Sequence, residues 1–372
     1  MAPKNTLKFL ASEASGALGD LGTFLPYVIG AISINHMSSS NVFILFGLFY
    51  SFSGLAYRMP MAVQPMKAAS AYAISNQLTP GMITAASIVI GIILLLLWKT
   101  GAAKRLARYI PRSVSIGIQA GLGISLAILG IKLIIQQSLM GLILISVMFL
   151  LLWRKLPAAP IVLVLGILIE FAMGRIVELP PLTPGFYLPE INLPDISDIF
   201  SNSTLTIILI QIPLTLTNAI IATCALSGKL YPDHTRVTAG NLSLTMGIAN
   251  LFSGIFGGIP MCHGSGGVAA HYKFGSRTLI APIMLGISFI LIGVFLGDSG
   301  LEILKLLPDA VLGCLLFYSG VELTSTFKDT KKEERSIILV VAGICVVVNP
   351  AIAVLFGVFA DHIGKNKLGD TS

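Results

Sequence analysis

The sequence predicts an all-α polytopic membrane protein of fourteen membrane elements, arranged as a seven-plus-seven inverted repeat with a short strand-plus-half-helix element in each half. Three observations predict it. Of 372 residues, 55% are hydrophobic and 11% charged, against about 25% charged in a soluble domain. Apolar stretches close to the ~20 residues a helix needs to cross ~30 Å of hydrocarbon recur along the chain, among them Gly81–Trp98, Gly117–Ile135 and Leu279–Leu296. The third observation is an internal similarity between the two halves of the chain. Charged faces at helical spacing, which a soluble core would show, are missing.

In order, the first half reads as elements over 14–34, 41–57, 61–77, 81–98, 112–131, 137–153 and 158–174, within a unit covering 1–175. A Pro-rich stretch with Glu178, Glu190, Asp195 and Asp198 follows, giving an extracytoplasmic linker at 176–203. The second half, 204–364, reads as 204–228, 236–256, 261–273, 277–296, 307–325, 335–349 and 350–363, and 365–372 forms a cytoplasmic tail. No cleavable signal peptide and no appended soluble domain are expected. Cys224, Cys262, Cys314 and Cys345 fall in or beside apolar segments without metal-type spacing, and read as small membrane residues.

The basic residues orient this count. Positive charge concentrates in cytoplasmic loops. With the N-terminus inside and fourteen alternating elements, 20 of the 24 Lys and Arg residues fall on the cytoplasmic side, and both termini lie there. Lys132, Arg175 and Lys305 fall outside, and Lys67 lies within the membrane. Topology in a lipid bilayer, most simply the plasma (inner) membrane, accounts for the net charge of +7 with no nucleic-acid partner.

The repeat appears at an offset of about 200 residues. Met59-Pro60-Met61 meets Ile259-Pro260-Met261, Ala69 meets Ala269 and Tyr72 meets Tyr272. Further on, Ile110-Pro111 matches Leu307-Pro308, each opening a segment with a later glycine, Gly123 or Gly320. Seven elements per half is odd, so the second half inserts upside down, as in many secondary transporters. In the third element Pro65 lacks an N–H and disfavours helix at Gln64. Its counterpart, Gly257 through Gly267, is equally unsuited to continuous helix. Each half therefore holds an extended piece followed by a half-helix, and such backbone survives at membrane depth only when buried in protein or lining a cavity. Antiparallel pairing of the two pieces would satisfy their backbone groups.

Two facing half-helix N-termini favour an anion, since free N–H groups and dipoles of roughly half a positive charge each converge there. Lys67 adds a full charge, Ser265 a hydroxyl, and Gly264 and Gly266 permit close backbone approach. Ionisable residues inside membranes are costly and mark function. Asp20, between Gly19 and Gly22, reads as a partner for Lys67 or as an acceptor of a coupled proton. Glu322, late in the twelfth element and near its cytoplasmic end, is the other coupling candidate. Thr23, Thr217 or Asn218 is expected to lend a hydrogen-bond donor, and His263, just before the second half-helix, reads either as a group that titrates or donates to an oxyanion or as a hydrogen-bonded packing histidine.

Three segments carry a family resemblance. Glu13-Ala14-Ser15-Gly16-Ala17-Leu18-Gly19-Asp20-Leu21-Gly22-Thr23-Phe24-Leu25-Pro26, Met61-Ala62-Val63-Gln64-Pro65-Met66-Lys67-Ala68 and Gly258-Ile259-Pro260-Met261-Cys262-His263-Gly264-Ser265-Gly266-Gly267 resemble signatures of the molybdate transporter family related to the sulfate permeases. The resemblance implies a fold with core and gate domains, and a substrate held between the third and tenth elements. Candidate contacts are then Thr23, Gln64, Met66, Lys67, Ala68 and Asn218, with His263, Gly264, Ser265 and Gly266. It implies molybdate as the small oxyanion substrate; a co-transported proton is expected from the carboxylate candidates above, no cofactor and no metal are expected, and a homodimer is left open. Sulfate is the competing oxyanion. A nucleobase-type symporter would carry membrane carboxylates where Asn218 and Ser265 stand. A channel would need a continuous polar pore, and Gly264-Ser265-Gly266 lacks the nucleophile-elbow pattern of a hydrolytic enzyme.

Overall fold

The computed structural model describes residues 6–19, 21–154, 158–174, 185–297 and 307–369; Asp20 and the first part of the Pro-rich linker, 176–184, lie outside them. The first half contains α1 (Thr6–Gly19), α2 (Leu21–Ser33), α3 (Ser39–Tyr57), β1 (Gln64–Pro65), α4 (Lys67–Ser75), α5 (Pro80–Thr100), the short α6 (Ala103–Ala107), α7 (Arg112–Gln136), α8 (Ser138–Trp153) and α9 (Ala158–Ala172). The second contains the short α10 (Ile196–Ile199), α11 (Asn202–Leu214), a π-helical stretch (Thr215–Ala222), α12 (Thr223–Leu230), α13 (Ala239–Ile255), β2 (Met261–Cys262), α14 (Ser265–Lys273) and α15 (Ile280–Leu296). It ends with α16 (Asp309–Ser325), a 3₁₀ turn (Thr326–Asp329), α17 (Lys332–Val347) and α18 (Pro350–Gly369). Among the described residues, five helices are long and apolar enough to cross a bilayer, namely Ser39–Tyr57, Pro80–Thr100, Arg112–Gln136, Asn202–Leu230 and Asp309–Lys328; shorter apolar helices accompany them.

Local chemistry sets the helix ends. The Ser38 hydroxyl accepts from the Asn41 N–H at the start of α3, and the Thr79 hydroxyl accepts from the Met82 N–H at the start of α5. Pro80 opens α5, where its missing N–H costs nothing, and Gly101 at φ 64° closes it. The element predicted at 204–228 holds a feature the sequence reading lacks. Pro213 lies inside α11 and has no N–H to give, and the helix widens into the π stretch immediately after it.

Helix pairs form the body: α3 packs on α15, α5 on α13 and α7 on α16. Small residues let the backbones meet. A methyl group on Gly47 would lie 2.6 Å from the Gly286 carbonyl oxygen, and one on Gly286 would lie equally close to that of Gly47. Gly123 of α7 and Gly320 of α16, matched in the repeat, meet each other in the same reciprocal way. Outward faces carry large apolar side chains such as Leu139, Leu142, Trp153 and Phe359, whereas Asn250, Ser253 and Thr215 are fully buried. That inversion of the soluble pattern suits a lipid-facing surface.

At the centre β1 and β2 pair antiparallel, Gln64 opposite Cys262 and Pro65 opposite Met261. Two strands leave unpaired outer edges, and in a membrane interior each open backbone group costs several kcal/mol. Side chains close those edges. Asn250 of α13 accepts from the Met261 N–H at 2.9 Å and donates to the Met261 carbonyl at 2.7 Å, standing in for a third strand. His263 Nδ1 donates to the Ala62 carbonyl at 3.0 Å, which leaves Nε2 to accept from the Thr245 hydroxyl at 3.0 Å.

Replacing Asn250 by Leu therefore orphans two buried backbone groups, at about 1–3 kcal/mol each. Asn250→Leu is expected to lower the thermal unfolding temperature of the detergent-solubilised protein clearly. Unchanged unfolding would mean that the amide does not hold the strand.

Candidate functional site

The strand pair delivers the N-terminus of α4 and that of α14 to one place, and a cavity of about 290 Å³ opens there. Its polar wall comprises Gln64 and Lys67 from the first half-helix element, Gly264, Ser265 and Gly266 from the second, and Gln211 and Asn218 from the α11–π segment. Gln119 of α7 and Glu322 of α16 face them.

Each member has a traceable position. Met66 donates its N–H to the Pro260 carbonyl at 2.9 Å, which seats the start of α4 against the other half's extended segment. The Gln64 amide donates to the Thr23 hydroxyl at 2.6 Å. Gln211 accepts from the Ala69 N–H at 3.0 Å and donates to the Thr215 hydroxyl at 3.0 Å, so it caps α4 from outside and ties it to the π stretch. Thr223 donates at 3.2 Å toward the carbonyls of both Asn218 and His263, linking the far end of that stretch to the second half-helix. A methyl group on Gly264 would strike the Gln64 side-chain oxygen, whereas one on Gly266 would point into open space. Glycine at 264 thus lets the Gln64 side chain approach in the position it takes here.

Among the described residues, the charged groups on the cavity wall are Lys67 and Glu322. Lys67 Nζ lies 3.0 Å from Glu322 Oε1, with both side chains about a quarter exposed. The opposite charges of this ion pair offset one another, and two helix N-termini add positive partial charge to the same space. Such a site accepts an anion by backbone N–H groups, and an anion competes with Glu322 for the ammonium.

The expected site residues divide accordingly. Gln64, Lys67, Asn218, Gly264, Ser265, Gly266 and Glu322 come together on the cavity. Glu322 departs from its expected place near the membrane surface, because it reaches inward to Lys67. His263 is fully buried and absent from the cavity wall; both ring nitrogens serve the strand edge and Thr245. Thr23 stands one hydrogen bond behind Gln64. Met66 and Ala68 are fully buried; they sit at the start of α4, with Met66 as its N-cap. Asp20 lies outside the described residues. Gln119 and Gln211 join the wall unannounced; an amide interrupting an otherwise apolar segment was the available signal.

Comparison with known proteins fits this architecture. Residues 12–126 and 203–323 match the family described as "Molybdate transporter of MFS superfamily". The chain is 32% identical over 402 residues to molybdate transporter 2 of Arabidopsis thaliana, covering 94% of this chain and 85% of the relative. It is 26% identical to molybdate transporter 1 of Chlamydomonas reinhardtii, covering 86% and 84%. Among solved structures, the transmembrane domain of the cyanobacterial bicarbonate transporter BicA superposes with a TM-score of 0.68 at 15% identity, covering 93% of this chain and 97% of that one. The murine anion transporter Slc26a9, in its inward-facing state, superposes with a TM-score of 0.71 at 14% identity, covering 99% and 70%. The fold is thus that of these anion transporters, and the chain belongs to the molybdate transporter family.

Proposed function

We propose that this protein is a secondary active transporter that carries molybdate across the plasma (inner) membrane, holding the dianion between the N-termini of α4 and α14 and taking up a proton at Glu322. The observation that carries the reading is the convergence of two half-helix N-termini and the Lys67–Glu322 pair on one cavity. Dianion binding beside an ionised carboxylate is opposed by like charge. Protonating Glu322 removes that repulsion and weakens its hold on the Lys67 ammonium, which gives a direct physical link between proton and oxyanion.

The pairing scheme supports the seven-plus-seven inverted arrangement. Exchanging the halves converts the α3–α15 pair into the α13–α5 pair, and returns the β1–β2 and α7–α16 pairs to themselves. A pseudo-two-fold axis in the membrane plane would produce that pattern, with the site beside the axis. On this reading both termini are cytoplasmic. The strand-linked half-helices belong to a core, while α7 and α16 belong to a gate.

Two measurements test the reading. Calorimetry on purified protein is expected to show molybdate binding that excess sulfate fails to displace, weakened about tenfold or more in Lys67→Ala, equivalent to at least ~1.4 kcal/mol. Equal displacement by sulfate would reassign the site to oxyanions generally, and no binding of either anion would remove the anion-site argument. In proteoliposomes, Glu322→Gln is expected to retain molybdate binding while molybdate uptake no longer responds to an imposed pH gradient. Uptake that still follows the gradient in this variant would take the coupling role away from Glu322.

A further inference from the structure

A second cavity, of about 160 Å³, adjoins the first and shares Gln119, Asn218 and Thr326 with it. Its remaining polar wall is Arg112, Ser115 and Thr217. Arg112 is the first residue of the 25-residue α7, whose N-cap is Pro111 and whose first turn has no side-chain cap. The arginine is exposed, and no carboxylate pairs with it among the described residues. Ser115, one turn deeper, is 2% exposed and contributes to the cavity wall, and its buried hydroxyl has no hydrogen-bond partner among the described residues. Thr217 already donates to Pro213 at 2.9 Å, which leaves its hydroxyl oxygen free to accept only.

A buried hydroxyl without a partner is costly, and this one lies one turn beyond Arg112 at the N-terminal end of α7, which has no side-chain cap. That combination offers a donor, a full positive charge and a helix dipole to one small anion. No carboxylate lines this cavity; Glu322 belongs to the adjoining one.

We infer that this vestibule is a second, transient oxyanion site, in which Arg112 and Ser115 hold a small tetrahedral oxyanion on its way between the central cavity and the membrane face bearing Arg112. The inference rests on the oxyanion reading of the central cavity but on different residues. A waystation of this kind raises the local anion concentration at the mouth of the deeper site, and its bidentate guanidinium suits an oxyanion better than a spherical halide. By the distribution of basic residues, the face concerned is the cytoplasmic one, where Lys104, Arg105 and Arg108 also lie.

Thr217 lines only the vestibule, so a thiol placed there reports on it alone. In a Cys224→Ser, Cys262→Ala background, which removes the half-buried thiol and the one lining the central cavity and leaves the buried Cys314 and Cys345, the full chain carrying Thr217→Cys is reconstituted in lipid nanodiscs. Modification by an anionic methanethiosulfonate is expected to exceed that by a neutral analogue about fivefold, reflecting the local positive potential. Molybdate is expected to slow both reactions. That protection should persist in Lys67→Ala and disappear in Arg112→Gln and in Ser115→Ala. Protection lost in Lys67→Ala yet kept in Arg112→Gln would overturn the vestibule site, as would protection conferred by anionic lipid and not by molybdate. Persistent protection with no calorimetric binding at the central cavity would leave the vestibule standing and remove the central reading instead.

Discussion

The antiparallel pairing of Gln64-Pro65 with Met261-Cys262 is the constraint on which the molecule turns. Neither segment could sit alone at membrane depth, because open backbone groups in hydrocarbon cost several kcal/mol each. Each half therefore needs the other to satisfy its non-helical stretch. Because the two strands meet side by side, the half-helices that follow them begin near one another. Asn250 and His263 then close the outer edges, so the pair is a complete hydrogen-bonded unit and not an exposed ribbon.

From that unit the electrostatics follow. Two helix N-termini facing one space create a positive field without spending a buried charge, and Gln211 fixes α4 by taking the Ala69 N–H. A single Lys67–Glu322 pair is then enough to make the site responsive. On the proposed reading, a second lysine facing the cavity would hold the dianion tightly and slow its release. A self-neutralised pair instead gives a site whose affinity depends on what happens to one carboxylate.

Legibility in the sequence tracks the physics of each residue. Pro65, Pro260 and the glycines around Gly264 announce broken helices because they forbid regular ones, and both strand-plus-half-helix elements follow from them. Lys67 stands out because a charge in an apolar run is expensive. His263 misleads by adjacency: side chains alternate across a strand, so Cys262 and Gly264 line the cavity while His263 points to the opposite side. Gln119 and Gln211 escape a search for ionisable groups since amides carry no charge. Glu322 reads as interfacial from its place near the end of an apolar run. Its inward reach depends on the packing of α16 against α7, which no local pattern encodes. The π stretch after Pro213 is likewise invisible, since proline marks a disturbance but not how the helix absorbs it.

The walls of the cavity belong to two packed groups. Gln64, Lys67, Gly264 and Ser265 belong to the strand-linked half-helices, whereas Gln119 and Glu322 belong to the α7–α16 pair, whose backbones meet through the reciprocal approach of Gly123 and Gly320. The Lys67–Glu322 ion pair therefore bridges the two groups. On the proposed reading, substrate and proton both act on that bridge: the oxyanion claims the ammonium, and the proton silences the carboxylate. A ligand shifts a conformational equilibrium only by its differential interaction with the two states. Here the differential term is explicit, because occupancy removes an interaction between the two groups while adding one within the strand-linked group. The same residues that bind the anion are thus the residues whose engagement holds the groups in register, and binding and movement become one electrostatic event.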